Sequence, residues 1–508
     1  MKRRLVLIAF LFLAALAFCF RAPQLGNRPF HGDEAVHALK FRELWERGRY
    51  AYDPNEFHGP TIYYAALPFV AASGHHRFAD MQEADFRGVI AVLGTAMIPL
   101  VFLLGKRLGT LVVLWAGLFM ALSPSHVFYS RYFIQEIFLV FFTLLFLACA
   151  VWWCDTRKVG WLVGAGVSVG LMIATKETAV LSLVAAMGAW LLTRRTRVPP
   201  RALGIGALVA LAVAYMVLSG FYTNLKGPLG YFYAFTPWLR RAGGTQLHNQ
   251  PWSYYLSLLT WHRPKGGPLW SEGLIVVLAA IGVLFSLRAK GLPVGIDPTL
   301  ARFLALYTLL LTVIYSAIPY KTPWCALNFL APMTLLAGIG IVCLTEALPG
   351  RVAKAGFRGL VLLGSLQLGW QAYQTSFVYF MDIKNPYVYA QPVSDVEKIK
   401  SELEGIAQVH PQKFEMVIKV ISKDEYYWPL PWTLRRFTSI GYYTRLPADP
   451  EAPVVLASPE FDEELTERLK KTHQMPGVFA LRPGVFFEHF VDVKLWEEFI
   501  TKRGPLPD

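Results

Sequence analysis

From about residue 5 to residue 377 the chain runs apolar, again and again, for long enough to cross a hydrocarbon layer, and few folds accommodate that. The apolar windows predict spans at 5–22, 85–104, 110–123, 134–153, 158–175, 178–193, 201–220, 271–288, 302–318, 325–345 and 356–377. Composition agrees: 55% of the 508 residues are hydrophobic and only 17% are charged, against about a quarter charged in ordinary soluble domains. The expected fold class is a polytopic α-helical membrane protein of about eleven spans.

A net charge of +14 raises the question of nucleic acid. The positive residues instead form short clusters between apolar runs: "MKRR", "GKRLG", "CDTRKVG", "TRRTRVPPR", "SLRAKG" and "PGRVAKAGFR". No long basic face exists for a duplex, so no nucleic-acid partner is expected, and the pattern is that of cytoplasmic loops. "MKRRLVLIAFLFLAALAFCFRAP" has the charge of a signal peptide but too long an apolar stretch and a poor cleavage site. It is read as a first helix with the amino end in the cytoplasm. Starting inside, eleven spans put the carboxyl end outside and all the basic clusters within. The five cysteines show no paired spacing.

Two domains are expected: a transmembrane part, 1–378, and a small extracytoplasmic α/β domain, 379–508. The membrane part carries long outer loops at about 23–84 and 221–270. In the first, "ALKFRELWERG" reads as an amphipathic helix and "PTIYYAALPFVAASG" as an interfacial or re-entrant segment. "GWLVGAGVSVG" reads as close helix packing. Past residue 378, "FEMVIKVI" reads as a strand, and helix and strand patterns then alternate.

Chemistry concentrates at the predicted outer rim. Asp33 and Glu34 open the first loop's helix. Asp33 fits an N-cap, with Glu34 favourable in the first turn, and equally fits a rigidly held base. His58 follows in "EFHGPTIYY", where a Gly-Pro turn directs it back toward the membrane. Arg131 and Glu136 sit at the mouth of a span in "YSRYFIQE", where an ionisable group is expensive unless paired or used. "IPYKTPW" places Tyr320 and Lys321 at another outer edge. Lys176 and Glu177 in "ATKET" read either as an ion pair at a hairpin or, for Lys176, as a donor-phosphate contact. Carboxylates beside cations suit transfer from a lipid phosphate: the carboxylate takes a proton, the cations stabilise the departing phosphate.

At these residues the chain resembles the GT-C membrane glycosyltransferases. The "Arg-Pro-x-x-x-Asp-Glu-Ala-x-x-Ala" arrangement from Arg28 to Ala38 is similar to that of protein O-mannosyltransferases and aminoarabinose transferases. "FHGPTIYY", "YSRYFIQE", "ATKET", "YSAIPYKTPW", "NPYVYA" and "YWPLPW" resemble a branch described as flippase-activity-associated proteins of archaeal glycosylation. The resemblance implies a plasma (inner) membrane, multi-pass enzyme that moves a sugar from a polyprenyl-phosphate donor to an acceptor at the outer face, with inversion. Asp33 would be the base, Glu34 its neighbour, and Glu136 the second acidic position, usually Asp in relatives. Arg131, Lys321, Lys176, His58 and Tyr320 would contact substrate. The acceptor stays open among glycan, lipid and protein.

Other readings stand beside this one. His31, His37 and His58 are of a type that binds a divalent cation, although no compact ligand motif appears. A lipid-linked glycan flippase or transporter would suit the many spans, but broken helices at matching positions are missing. A silent scaffold of a glycan assembly complex would leave the carboxylates unused.

Overall fold

The structure is a computed structural model that describes residues 2–54, 58–193, 198–242, 248–288 and 292–503. The chain forms two compact units. One holds residues 1–25, 43–69 and 86–389; the other holds 26–42, 70–85 and the residues from 390 onward.

The first unit is helical. Among the described residues, six helices can cross a membrane by length and composition: Arg4–Arg21, Glu83–Leu103, Glu136–Thr156, Pro200–Leu218, Pro298–Ala317 and Pro323–Ala347. This corrects the expectation of about eleven spans. The windows at 110–123, 158–175, 178–193 and 271–288 fall on the shorter apolar helices Thr110–Leu122, Val159–Thr175, Ala179–Thr193 and Gly273–Arg288. A helix rises about 1.5 Å per residue, so the 13 residues of Thr110–Leu122 reach only about 20 Å, against about 30 Å of hydrocarbon. The last window lies on Gly350–Tyr373, where Arg358, Gln367 and Gln371 interrupt the apolar run.

Packing explains the composition of these helices. Leu327–Ala347 is buried on nearly every side, as expected of a helix that is apolar all round. In Val159–Thr175, a Cβ at Gly166 or Gly170 would stand 2.7 or 2.6 Å from the carbonyl oxygens of Gly206 and Ala210 on Pro200–Leu218. Only glycine permits that approach, so the glycine repeat is a packing seam. Arg21, fully buried at the end of α1 (Lys2–Arg21), donates to the carbonyls of Ala17, Met120 and Ala121 and to Ser130 Oγ.

The second unit is α/β. Its strands are β1 (Ile418–Ile421), β2 (Ile440–Tyr443), β3 (Val454–Ala457), β4 (His473–Arg482) and β5 (Val485–Asp492), in the order β2-β1-β3-β5-β4. β1 pairs parallel with β2 and β3; β5 runs antiparallel to β3 and β4. The helix Asp395–Val409 buries Val396, Ile399, Leu403 and Ile406, spaced at helical intervals, in a core shared with Leu495 and Phe499. Two stretches of the first long loop belong to this unit. Phe30 packs tilted against Trp432 and Phe78 meets it edge to face, with ring centroids 4.6 and 5.6 Å away. Trp432 Nε1 donates to Glu83 Oε1 at 2.7 Å, Gln391 Nε2 to the Pro29 carbonyl at 2.9 Å, and Arg435 Nε to the Met81 carbonyl at 3.1 Å.

Candidate active site

The acidic motif opens α2 (Gly32–Arg47). The Asp33 backbone N–H donates to His31 Nδ1 at 3.1 Å, and the His31 N–H donates to Glu34 Oε2 at 3.0 Å. His31 O accepts the first helical bond, from Ala35 N–H at 2.9 Å. This reciprocal arrangement is a capping box with histidine as the N-cap and Glu34 at its third position. It corrects the reading of Asp33 as the cap. Burial pushes the His31 imidazole below its ordinary pKa, against the pull of Asp33 and Glu34. The neutral ring is the form whose Nδ1 can accept a hydrogen bond. Glu34 is completely buried, whereas the Asp33 side chain is 52% exposed and caps nothing.

A second cluster lies in the helical unit. Glu136, in the first turn of Glu136–Thr156, forms an ion pair with Lys176, and both side chains are buried. Burial would lower the Lys176 pKa; Glu136 reverses this and holds the ammonium above its ordinary value. Glu177 binds elsewhere: His58 Nδ1 lies 2.5 Å from Glu177 Oε2, and Tyr52 donates to Oε1 at 3.4 Å. The adjacent Lys176 and Glu177 therefore serve two separate pairs, which corrects the reading of them as one ion pair. Burial opposes ionisation of Glu177, and His58 overcomes it, leaving the carboxyl below its ordinary pKa. The His58 side chain is one-third exposed.

The "HGP" turn explains this placement. Gly59 N–H donates to the Thr175 carbonyl at 3.1 Å, and Thr61 Oγ1 donates to the Ala174 carbonyl at 2.8 Å. A Cβ on Gly59 would stand 2.0 Å from that carbonyl oxygen, so the strap docks only as glycine. Glu56, just before it, lies outside the described residues.

The remaining predicted residues hold the scaffold. Arg131 donates to the carbonyls of Arg21, Pro23 and Gln24 and stacks over Phe377 at 4.4 Å. Lys321 Nζ donates to the carbonyls of Gln250 and Ile318 at 3.1 and 2.5 Å. Tyr320 bridges to Asn249, so the second long loop is laid against this edge. Among the described residues no three His, Cys, Asp or Glu side chains gather to hold a metal ion. His31 caps α2, His37 is buried on it, and His58 binds Glu177. Sequence reasoning missed Glu272, a fully buried carboxylate that accepts from Ser123 Oγ, Ser125 N–H at 3.1 Å and Tyr387 OH at 2.7 Å. The rule that flagged Glu136, an ionisable group at a span edge, applies to it equally.

Known proteins can now be set beside this geometry. The family model for dolichyl-phosphate-mannose-protein mannosyltransferase matches residues 61–234. No curated protein sequence matches the chain. Among solved structures, ArnT from Cupriavidus metallidurans in the apo state aligns with TM-score 0.66 and 15% identity, covering 100% of both chains. The same protein bound to undecaprenyl phosphate aligns with TM-score 0.63 and 14% identity over 95% of this chain and 97% of that one. The Archaeoglobus fulgidus oligosaccharyltransferase tethered with an acceptor peptide aligns with TM-score 0.56 and 13% identity, over 93% of this chain and 72% of that one. Similarity at this level shows a shared fold: a polytopic helical membrane unit followed by a carboxyl-terminal α/β portion.

Proposed function

We propose that the chain transfers a sugar from a polyprenyl-phosphate donor to an acceptor at the outer membrane face. The observation that carries this reading is the half-exposed Asp33 carboxylate, freed from capping by His31 and Glu34 and held at the start of an anchored helix. Fold similarity to a protein solved with undecaprenyl phosphate supports the donor class. Asp33 takes the proton from the attacking group as that group displaces the lipid phosphate, in one inverting step that needs no covalent intermediate. Glu34 keeps the backbone of the motif in place. Within the helical unit, Glu177 fixes the one-third exposed His58, and Lys176 pairs with Glu136. Cations near a departing phosphate stabilise its charge.

Replacing Asp33 with Asn keeps size and removes the base. The protein should insert and bind donor normally but lose about a hundredfold or more of its turnover with a labelled lipid-linked sugar. Unchanged transfer by Asp33→Asn sinks the assignment. A wild-type protein that releases no sugar from any polyprenyl donor favours the flippase or scaffold readings instead.

A further inference from the structure

Arg482 ends β4 at the turn through Pro483 and Gly484 that leads into β5. It is half-buried, and its guanidinium lies 5.5 Å from the centre of the Tyr426 ring. Among the described residues it donates no side-chain hydrogen bond, although a guanidinium carries five N–H donors. The segment that carries Asp33 is fixed in the same unit. Pro29 is bonded to Gln391, Phe30 packs against Trp432, and a Cβ on Gly32 would touch Trp428, two residues after Tyr426, at 3.6 Å. The backbone beside Arg482 is bound too, through Val393 N–H to the Leu481 carbonyl at 3.1 Å.

Asp33 and Arg482 lie within electrostatic reach of one another but form no ion pair. Asp33 likewise accepts no side-chain hydrogen bond from the described residues; its Oδ2 lies 3.8 Å from His31 Nδ1. An exposed carboxylate and a half-buried guanidinium on one frame, not paired with each other, can be addressed by one molecule that offers a hydroxyl to the first and an anion to the second. In a single displacement the lipid phosphate departs on the face opposite the base, so a cation beside the base is on the acceptor's side.

Resting on the transferase reading, we infer that Arg482 binds an anionic group of the acceptor, a saccharide bearing a phosphate or a carboxylate near the hydroxyl that receives the sugar. The planar guanidinium engages either oxyanion through two parallel hydrogen bonds. The Tyr426 ring, exposed beneath it, supplies an apolar surface against which the saccharide can rest.

The test uses full-length protein in phosphatidylcholine nanodiscs, titrated with methyl glucoside, glucose 6-phosphate and methyl glucuronide. At least one charged probe should bind about tenfold or more tightly than the neutral one, and the stronger of the two identifies phosphate or carboxylate. Arg482→Gln should erase that preference while the melting temperature and donor binding hold; Arg482→Lys should keep part of it. Equal binding of all three probes, or a preference that survives Arg482→Gln, overturns the inference. So does displacement of the charged probes by anionic phosphatidylglycerol, which would assign Arg482 to lipid headgroups. Because no donor is present, this readout stands even if the chain proves to transfer no sugar.

Discussion

His31 is the residue on which the acidic motif turns. Histidine is not among the usual cap residues, and sequence rules therefore gave the position to the neighbouring aspartate. What the sequence did not display is the reciprocal bond from the His31 N–H to Glu34, which settles which side chain faces the helix end. A histidine cap also brings pH dependence. Burial sets its folded pKa below the ordinary value of about 6.5. The unfolded chain therefore binds the proton more readily, and the stabilisation is complete above about pH 6.5 and is lost as pH falls from there through the folded value. His31→Ala should cost about 1 kcal/mol, while His31→Asn should restore the cap and abolish the acid sensitivity. Amide exchange at Asp33 and Ala35, followed on both sides of about pH 6, would show it. Equal exchange in wild type and His31→Ala would refute the capping role.

At the scale of elements, composition was legible and helix ends were not. A hydropathy window records how apolar a stretch is, and Thr110–Leu122 is apolar throughout. It stops at Ser123 and Pro124, which cap a new helix with the Ser123 side chain. The helix Val159–Thr175 ends because Lys176 turns extended, with φ −158°, so that its ammonium meets Glu136 and the next residue meets His58. That hairpin and the strap from His58 to Thr61 make one device, and the sequence foretold the turn but not what it docks on. Gly59→Ala should lower stability by about 1–3 kcal/mol through the clash with the Ala174 carbonyl, read as a lower melting temperature in detergent. A variant that melts like wild type would mean the strap does not sit there.

For the molecule as a whole, the proposed Asp33 chemistry requires that the acidic motif face outward. In a cysteine-free background, Lys471→Cys, in the unit that also holds Asp33, should react with an impermeant thiol reagent in intact cells. Failure to react would overturn the placement of the proposed site. An α/β portion after residue 378 was readable from its changed composition. Its union with 26–42 and 70–85 was not, because packing of Phe30 and Phe78 against Trp432 joins residues some 350–400 apart and leaves no periodic trace. That union has a bearing on biosynthesis. A ribosome adding roughly 5–20 residues per second needs some tens of seconds to go from the acidic motif to Trp432 and Arg482. Throughout that interval the motif exists without the partners that shape it. A chain arrested soon after Tyr389 carries every residue of the helical unit and still lacks the residues that frame its acidic motif.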